Sequence, residues 1–280
     1  MCWACDLWGK DEEIWYFNPE NYAAAMYKRK KPGTKSVVYG QDPEHMQWEA
    51  LKAIVVAKRE DPEKFVQMIK DANESPAGNV VGFGQVLPLK DCYRVLELSY
   101  PMATMSCICR RATRAIEETS PEEYSCMGTG VGTFKWERWP ERYKGGVHFP
   151  SLDEAKKWIE KWDKKGMVHM VMTFGGHFIG GLCNCDYPGC ILIRHRLDYD
   201  VEPVCLKGHY IAKVNYDACN GCRICVQRCQ FGAIRFEVVQ NKPIIDAFRC
   251  YGCGLCETGC PKNAISLIDR MSIPSLREVW

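Results

Sequence analysis

Eighteen of the 280 residues are cysteines, and eight of them fall into two runs of identical spacing. The first run is Cys219, Cys222, Cys225 and Cys229. The second, 31 residues further on, is Cys250, Cys253, Cys256 and Cys260. Each reads C-x2-C-x2-C-x3-C, the spacing that holds [4Fe–4S] clusters by thiolate ligation. A cubane asks for four soft sulfur ligands at the corners of a tetrahedron. A tight loop with a cysteine at every third residue wraps three corners, and the fourth ligand comes from elsewhere in the chain. In two-cluster proteins the fourth cysteine of each run ligates the other cluster. Two [4Fe–4S] clusters are therefore expected, one on Cys219, Cys222, Cys225 and Cys260, the other on Cys250, Cys253, Cys256 and Cys229. Paired zinc knuckles are the alternative, but zinc sites do not need eight cysteines in an interleaved pattern.

The repeat continues through Ala233-Ile234 and Ala264-Ile265. Over about residues 209–269 the sequence resembles the bacterial-type two-cluster ferredoxins. The resemblance implies a β-hairpin and a short helix from each half, with 210–216 paired to 234–239 and 244–247 paired to 265–268. It has one departure. Pro261 follows Cys260 as in the family, but Gln230 follows Cys229, where the family usually has proline.

Six more cysteines lie upstream: Cys107, Cys109, Cys126, Cys183, Cys185 and Cys190. They are candidates for a third iron–sulfur or other metal centre, with a zinc site or reduced structural thiols as the alternatives. A C-x-C pair brings two sulfurs to one site only where the chain turns between them. Arg110, Arg111 and Arg114 open an apparent helix and would offset thiolate charge. Across about residues 79–269 the chain resembles a group of longer ferredoxin-domain proteins. The shared segments read Cys107-Ile-Cys109-Arg110, Gly166-Met167-Val168-His169 and Leu182-Cys183-Asn184-Cys185. Asp186 stands where that group usually has a further cysteine. The resemblance implies a common redox architecture and no particular reaction.

Other signals are weaker. Cys2-Trp-Ala-Cys5 is a C-x2-C, read as a redox pair, half a metal site or a plain thiol pair. Cys92 and Cys205 read as small core residues. His169 and His177 are either ligands or satisfied core histidines. The glycines at 128, 130 and 132 hint at a phosphate loop without a surrounding strand–loop–helix unit. Lys28 to Lys31 form a basic turn, or a docking patch for an acidic partner. Trp3, Trp8, Trp15 and Tyr16 are either a docking surface or core, aromatic residues being enriched at interfaces. The chain has no Walker motif and no nucleophilic triad.

The elements that position these residues follow from pattern. Residues 42–60 and 61–74 read as two helices, each opened by Asp-Pro or Pro at the first turn. Residues 75–78 read as a turn and 79–87 as β-leaning. Residues 151–165 form the clearest helix, with a Ser151/Glu154 capping box, apolar residues at 155, 158, 159 and 162, and Gly166 past its end. Residues 167–174 read as a buried strand, and 191–208 as a short tether stiffened by Pro203. The hydrophobic share of 46% and charged share of 26% describe a chain that folds around a core. A formal charge of +2 argues against a dedicated nucleic-acid binder. No run is apolar over the roughly 20 residues of a membrane span. The N-terminus shows no secretory pattern.

The expected fold is α+β: a helical N-terminal region (1–78) with a docking role, a cysteine-rich α/β unit (79–208), a two-cluster ferredoxin-like domain (209–270) and a tail (271–280). The expected function is electron transfer in the cytoplasm of an anaerobic cell, between a low-potential donor and a redox enzyme or flavoprotein partner subunit of a hetero-oligomeric complex. The alternative is a redox enzyme whose upstream cysteines hold a catalytic cluster fed by the ferredoxin domain.

Overall fold

The computed structural model describes residues 1–23, 43–74, 83–130, 146–173 and 179–280. The basic turn at 28–31, the turn at 75–78, the glycine at 132 and His177 lie outside the described residues.

In chain order the elements begin with four helices: α1 (Trp3–Trp8), α2 (Glu20–Ala23), α3 (Pro43–Glu60) and α4 (Pro62–Glu74). The middle of the chain alternates. It runs β1 (Gly84–Leu87), α5 (Leu89–Leu98), β2 (Met102–Met105), α6 (Ile108–Arg114), β3 (Cys126–Thr129), β4 (Val147–His148) and α7 (Leu152–Lys164). It continues with β5 (Val168–Thr173), β6 (Ile179–Cys185), α8 (Ile191–Tyr199) and β7 (Cys205–Leu206). The C-terminal part holds β8 (Tyr210–Val214), α9 (Ile224–Arg228), β9 (Ile234–Glu237), β10 (Lys242–Ile245), α10 (Leu255–Thr258) and β11 (Ile265–Asp269). Mixed helices and sheets of this kind make an α+β fold.

Seven strands form one sheet in the order β4-β2-β3-β6-β5-β1-β7, antiparallel except for β1 against β7. Side chains alternate across it, as the period of two requires. Leu87, Val171 and Leu182 enter one core with α1, α5 and α7. Val86, Met170 and Cys183 enter a second core with α8, and Phe65 and Ile69 of α4 pack against it. Helix α7 forms as its sequence dictates. Ser151 and Glu154 cap each other's backbone N–H, its apolar stripe is buried, and Gly166 turns the chain at φ +84.

The 31-residue repeat is carried in the backbone. Gly221 and Gly252, Arg223 and Gly254, and Gly232 and Asn263 all have positive φ, pair by pair at equivalent positions. The strand pairing corrects the expectation. β8 pairs with β11 and β9 with β10, both antiparallel. β9 and β10 are joined by only residues 238–241, with Asn241 at φ +51, so they close on each other locally. β8 is left to pair with a strand from the other half of the repeat.

Three further expectations are corrected by packing. Trp15 and Tyr16 have no exposed surface, and Trp3 and Trp8 pack half-buried against the same core, so Trp15 and Tyr16 are core residues and offer no docking surface. Residues 191–208 are no tether. They form α8, a turn at Glu202–Val204 and an edge strand of the sheet. The last ten residues are packed as well: Leu276 is fully buried, and the carbonyl of Trp280 accepts from Arg196 at 2.7 Å. Gly128 sits in β3, paired on both sides, and not in a phosphate loop.

Candidate metal centres

Two cavities lie in the C-terminal part. One is lined by Cys219, Cys222, Cys225 and Cys260 together with Pro243 and Ile265. The other is lined by Cys229, Cys250, Cys253 and Cys256 together with Phe231 and Ile245. Each cavity thus collects three cysteines of one run and the fourth of the other. Four soft sulfurs around a small apolar chamber suit an iron–sulfur cubane better than a hard cation. Local structure repeats at both. The backbone N–H of Ala233 donates to Cys229 Sγ at 3.3 Å, and that of Ala264 to Cys260 Sγ at 3.3 Å. The second cavity is the deeper one: Cys250 and Cys256 are buried, whereas Cys222 on the first is exposed.

The loop of the second cavity is built against β8. A Cβ on Gly252 would lie 2.1 Å from the Tyr210 carbonyl oxygen, and its φ is +65, so glycine alone fits there. Arg270, fully buried, donates to the carbonyls of Gly208 and Cys250 and so ties that loop to the chain entering β8. Burial pushes the Arg270 guanidinium down to about 10.

The six upstream cysteines also converge. Antiparallel register sets Cys126 of β3 directly across from Cys183 of β6, with the sulfurs 3.5 Å apart. Cys183 and Cys185, two apart on one strand, point to the same face, so this C-x-C pair meets without the turn that was expected between its sulfurs. Cys107 caps α6, its sulfur accepting from the Arg110 N–H, and Cys190 stands at the N-cap position of α8 without a side-chain cap bond. The sulfurs make a closed ring of hydrogen-bonding contacts: 107 to 126, 126 to 183, 183 to 185, 185 to 190, 190 to 109 and 109 back to 107. Hydrogen bonds from Cys109 and Cys126 hold the Cys107 thiol well below its ordinary value, and the Arg110 guanidinium adds to this. The Cys126 thiol is pushed well up, first by its bond to Cys107.

Buried polar groups surround this ring. Arg110 pairs with Glu118 at 2.7 Å and Asp186 at 2.8 Å, and donates to the Asn184 carbonyl at 2.7 Å. Asp186, which stands at the position of the missing cysteine, therefore anchors the arginine. Asn184, between two ring cysteines, points to the opposite face and meets His169 Nδ1 at 2.7 Å. His169 Nε2 faces Asp163 Oδ1 at 3.5 Å without a hydrogen bond, so this histidine is a core residue bonded through Nδ1 alone. Asp163 in turn faces Arg228, whose guanidinium donates to the Asp163 and Leu255 carbonyls. A polar chain thus runs from the ring to the residue before Cys229.

Sequence reasoning missed several of these residues. Gln230, noticed only as a departure from proline, fastens the C-terminal part to the sheet unit. Its Oε1 accepts from the Tyr187 N–H at 2.7 Å and its Nε2 donates to the Gly166 carbonyl. Cys92 and Cys205 are buried core residues as expected.

The family described as a 4Fe-4S dicluster domain matches residues 218–265. The ferredoxin-type protein NapF of Haemophilus influenzae is 36% identical over 78 residues, which are 27% of this chain and 38% of that protein. The indolepyruvate oxidoreductase subunit IorA of Pyrococcus abyssi is 36% identical over 58 residues, 21% of this chain and 9% of that subunit. The Pyrococcus horikoshii IorA is 34% identical over a stretch of the same length. The match spans well under half the length of each relative. Among the described residues no helix is long and apolar enough to cross a membrane.

Proposed function

We propose that the protein is an electron-transfer subunit that relays electrons between a low-potential donor and a partner oxidoreductase in a hetero-oligomeric complex. The observation that carries this reading is the pair of four-cysteine cavities, each completed by a cysteine from the other run. A ferredoxin-type iron–sulfur domain supports electron transfer in general, and the IorA likeness fits a place beside another subunit. Cys219, Cys222, Cys225 and Cys260 would hold one [4Fe–4S] cluster, and Cys229, Cys250, Cys253 and Cys256 the second. Cys107, Cys109, Cys126, Cys183, Cys185 and Cys190 would supply an all-thiolate third centre. When bound, such clusters supply redox sites whose potentials follow from ligands, hydrogen bonds to sulfur and exposure.

The chain's own residues arrange the three sites in series. Cys183, Cys185 and Cys190 share a core with Phe231, Tyr251 and Leu255, and Cys229 and Cys253 pack against it. Gln230 and Arg228 lock that contact. The ring therefore lies on the side of the Cys229/Cys250 cavity, and the Cys219 cavity lies at the far end.

The far end also offers the partner face. Cys222 is exposed. Asn241, at the end of the β9–β10 turn, contacts Gly221 of its loop. That turn exposes Val238 at 72% and Val239 at 93%, an apolar tip beside the cysteine loop. A partner covering this tip approaches the Cys219 cavity directly, in place of the N-terminal aromatics.

The test is iron and acid-labile sulfide on anaerobically purified full chain, with electron paramagnetic resonance (EPR) of the reduced protein. Two cubanes give about eight iron and eight sulfide, and the ring adds to these. A chain that takes up zinc but no sulfide overturns the reading. Val238→Ser with Val239→Ser should leave these contents unchanged and slow electron exchange with the partner.

A further inference from the structure

Apart from the fourteen cysteines already assigned, the interior gathers a second kind of sulfur site. Cys2 stands at the N-cap position of α1 and Cys5 lies one turn on, so both sulfurs fall on one side of the helix. His209 arrives from the other end of the chain, between β7 and β8. Cys2 Sγ and Cys5 Sγ are 3.4 Å apart, and Cys5 Sγ is 3.4 Å from His209 Nε2. All three donor atoms lie within 4.8 Å of one another, and all three residues are buried, at 0%, 4% and 5% exposure. We propose that Cys2, Cys5 and His209 bind a zinc ion, a site separate from the clusters and independent of the electron-transfer reading.

The separations suit this ion. Zinc–sulfur and zinc–nitrogen bonds of about 2.3 and 2.0 Å in a tetrahedron set ligand atoms roughly 3.5–3.8 Å apart. The two 3.4 Å contacts need only a small spread to reach that. Charge also balances, because two thiolates neutralise a divalent cation that burial would otherwise penalise. Binding displaces the two thiol protons to solvent and leaves His209 Nε2 with its lone pair on the metal.

Gln85 completes the surroundings. It is fully buried in β1, its Nε2 donates to the Lys207 carbonyl at 3.0 Å, and its Oε1 accepts from the Trp15 indole N–H. That pair of contacts fixes the amide orientation. Oε1 lies 3.9 Å from Cys2 Sγ, within reach of that thiol in the metal-free site. Nε2 lies 3.3 Å from His209 Nε2 and 3.6 Å from Cys2 Sγ; in the metal-bound site, with the His209 lone pair on zinc, its other hydrogen goes to the sulfur.

Burial decides against the competing use of a C-x2-C. A dithiol that exchanges with a partner disulfide needs an accessible sulfur, and Cys2 has none. A metal here joins segments 204 residues apart, the N-terminal helix and the strand entry of the ferredoxin domain. His209 also sets its carbonyl on the Arg270 N–H at 2.8 Å, and the Gly208 N–H donates to the Tyr251 carbonyl at 2.8 Å. The ion would pin the N-terminus against the loop that carries Cys250 and Cys253.

The experiment compares the anaerobically purified full chain with Cys5→Ser by elemental analysis, after reconstitution with Zn2+ and separately with Co2+. The wild type should hold one more equivalent of zinc than the variant, and its cobalt form should show sulfur-to-cobalt charge-transfer absorption that the variant lacks. Cluster EPR amplitudes should match in the two. His209→Gln, a gentler change, should lose zinc to a chelator faster than the wild type, which keeps the test intact where Cys5→Ser fails to fold. Equal zinc in wild type and variants overturns the site. So does a Cys2–Cys5 disulfide in the anaerobic wild type, or iron in place of zinc on these residues.

Discussion

Gln230 Oε1 accepts the backbone N–H of Tyr187 at 2.7 Å, which places the residue after Cys229 against the second residue after Cys185. The same side chain donates to the Gly166 carbonyl, so one glutamine bridges two loops of the sheet unit to the C-terminal part. Neutral hydrogen bonds contribute about 0.5–1.5 kcal/mol each. Gln230→Ala should therefore lower stability by roughly 1–3 kcal/mol, with both cluster EPR signals at full amplitude. A denaturation midpoint equal to wild type would mean that the bridge is not holding the two parts together.

Cys183 and Cys185 are neighbours in the sulfur ring, and Cys183 also faces Cys126 at 3.5 Å. Replacing both with serine removes two adjacent soft donors and leaves the eight C-terminal cysteines untouched. Metal content should fall while the two cubane signals persist. Metal content unchanged from wild type would reject a third centre. Loss of every signal would instead place these residues in the folding of the whole chain.

Gly252 and Gly232 form a matched pair for testing the Cys250 loop. Both have positive φ, but a Cβ on Gly252 meets the Tyr210 carbonyl oxygen at 2.1 Å, whereas one on Gly232 meets nothing within 4 Å. Gly232→Ala should cost only the left-handed backbone term, about 1–2 kcal/mol. Gly252→Ala adds a backbone collision and should displace the loop that bears Cys250 and Cys253. Iron should drop by about four per chain, one cubane, in Gly252→Ala and stay at the wild-type level in Gly232→Ala. Equal iron in the two variants would show that the close approach to β8 does not position this loop.

The sequence made some of this legible and hid the rest for identifiable reasons. The eight repeated cysteines and α7 were readable because ligand spacing and helix capping are local. The strand pairing was not, because pairing β8 with β11 depends on how two halves close, and hairpin reasoning favours neighbours. The N-terminal aromatics were ambiguous for the same reason, since exposure is decided by what the rest of the chain places on Trp15 and Tyr16. Gln85 and His209 carry no signal at all in sequence. Their partner Cys2 is 83 residues from one, and Cys5 is 204 from the other, and only the sheet brings them together.

His195 gives a pH prediction whose sign can be worked out. It lies in α8 and is 6% exposed. Burial, with the neighbouring Arg194 charge, outweighs a backbone hydrogen bond at Ile191 and pushes its imidazole down from 6.5 to about 4. The folded chain keeps this ring neutral, while the unfolded chain takes up a proton below its ordinary value. Between pH 6.5 and about 4 the unfolded state binds more protons, so stability falls as pH falls. Above that window the group contributes no slope. With these two values the loss is about 2 kcal/mol at pH 5. His195→Gln removes the titration and should flatten the stability difference between pH 7 and pH 5 by that amount. The readout is the denaturation midpoint of anaerobic holoprotein, followed by tryptophan fluorescence. Acid damage to the metal centres acts on both proteins alike and drops out of the comparison. Parallel loss of stability in wild type and variant would show that His195 is protonated in the fold without penalty.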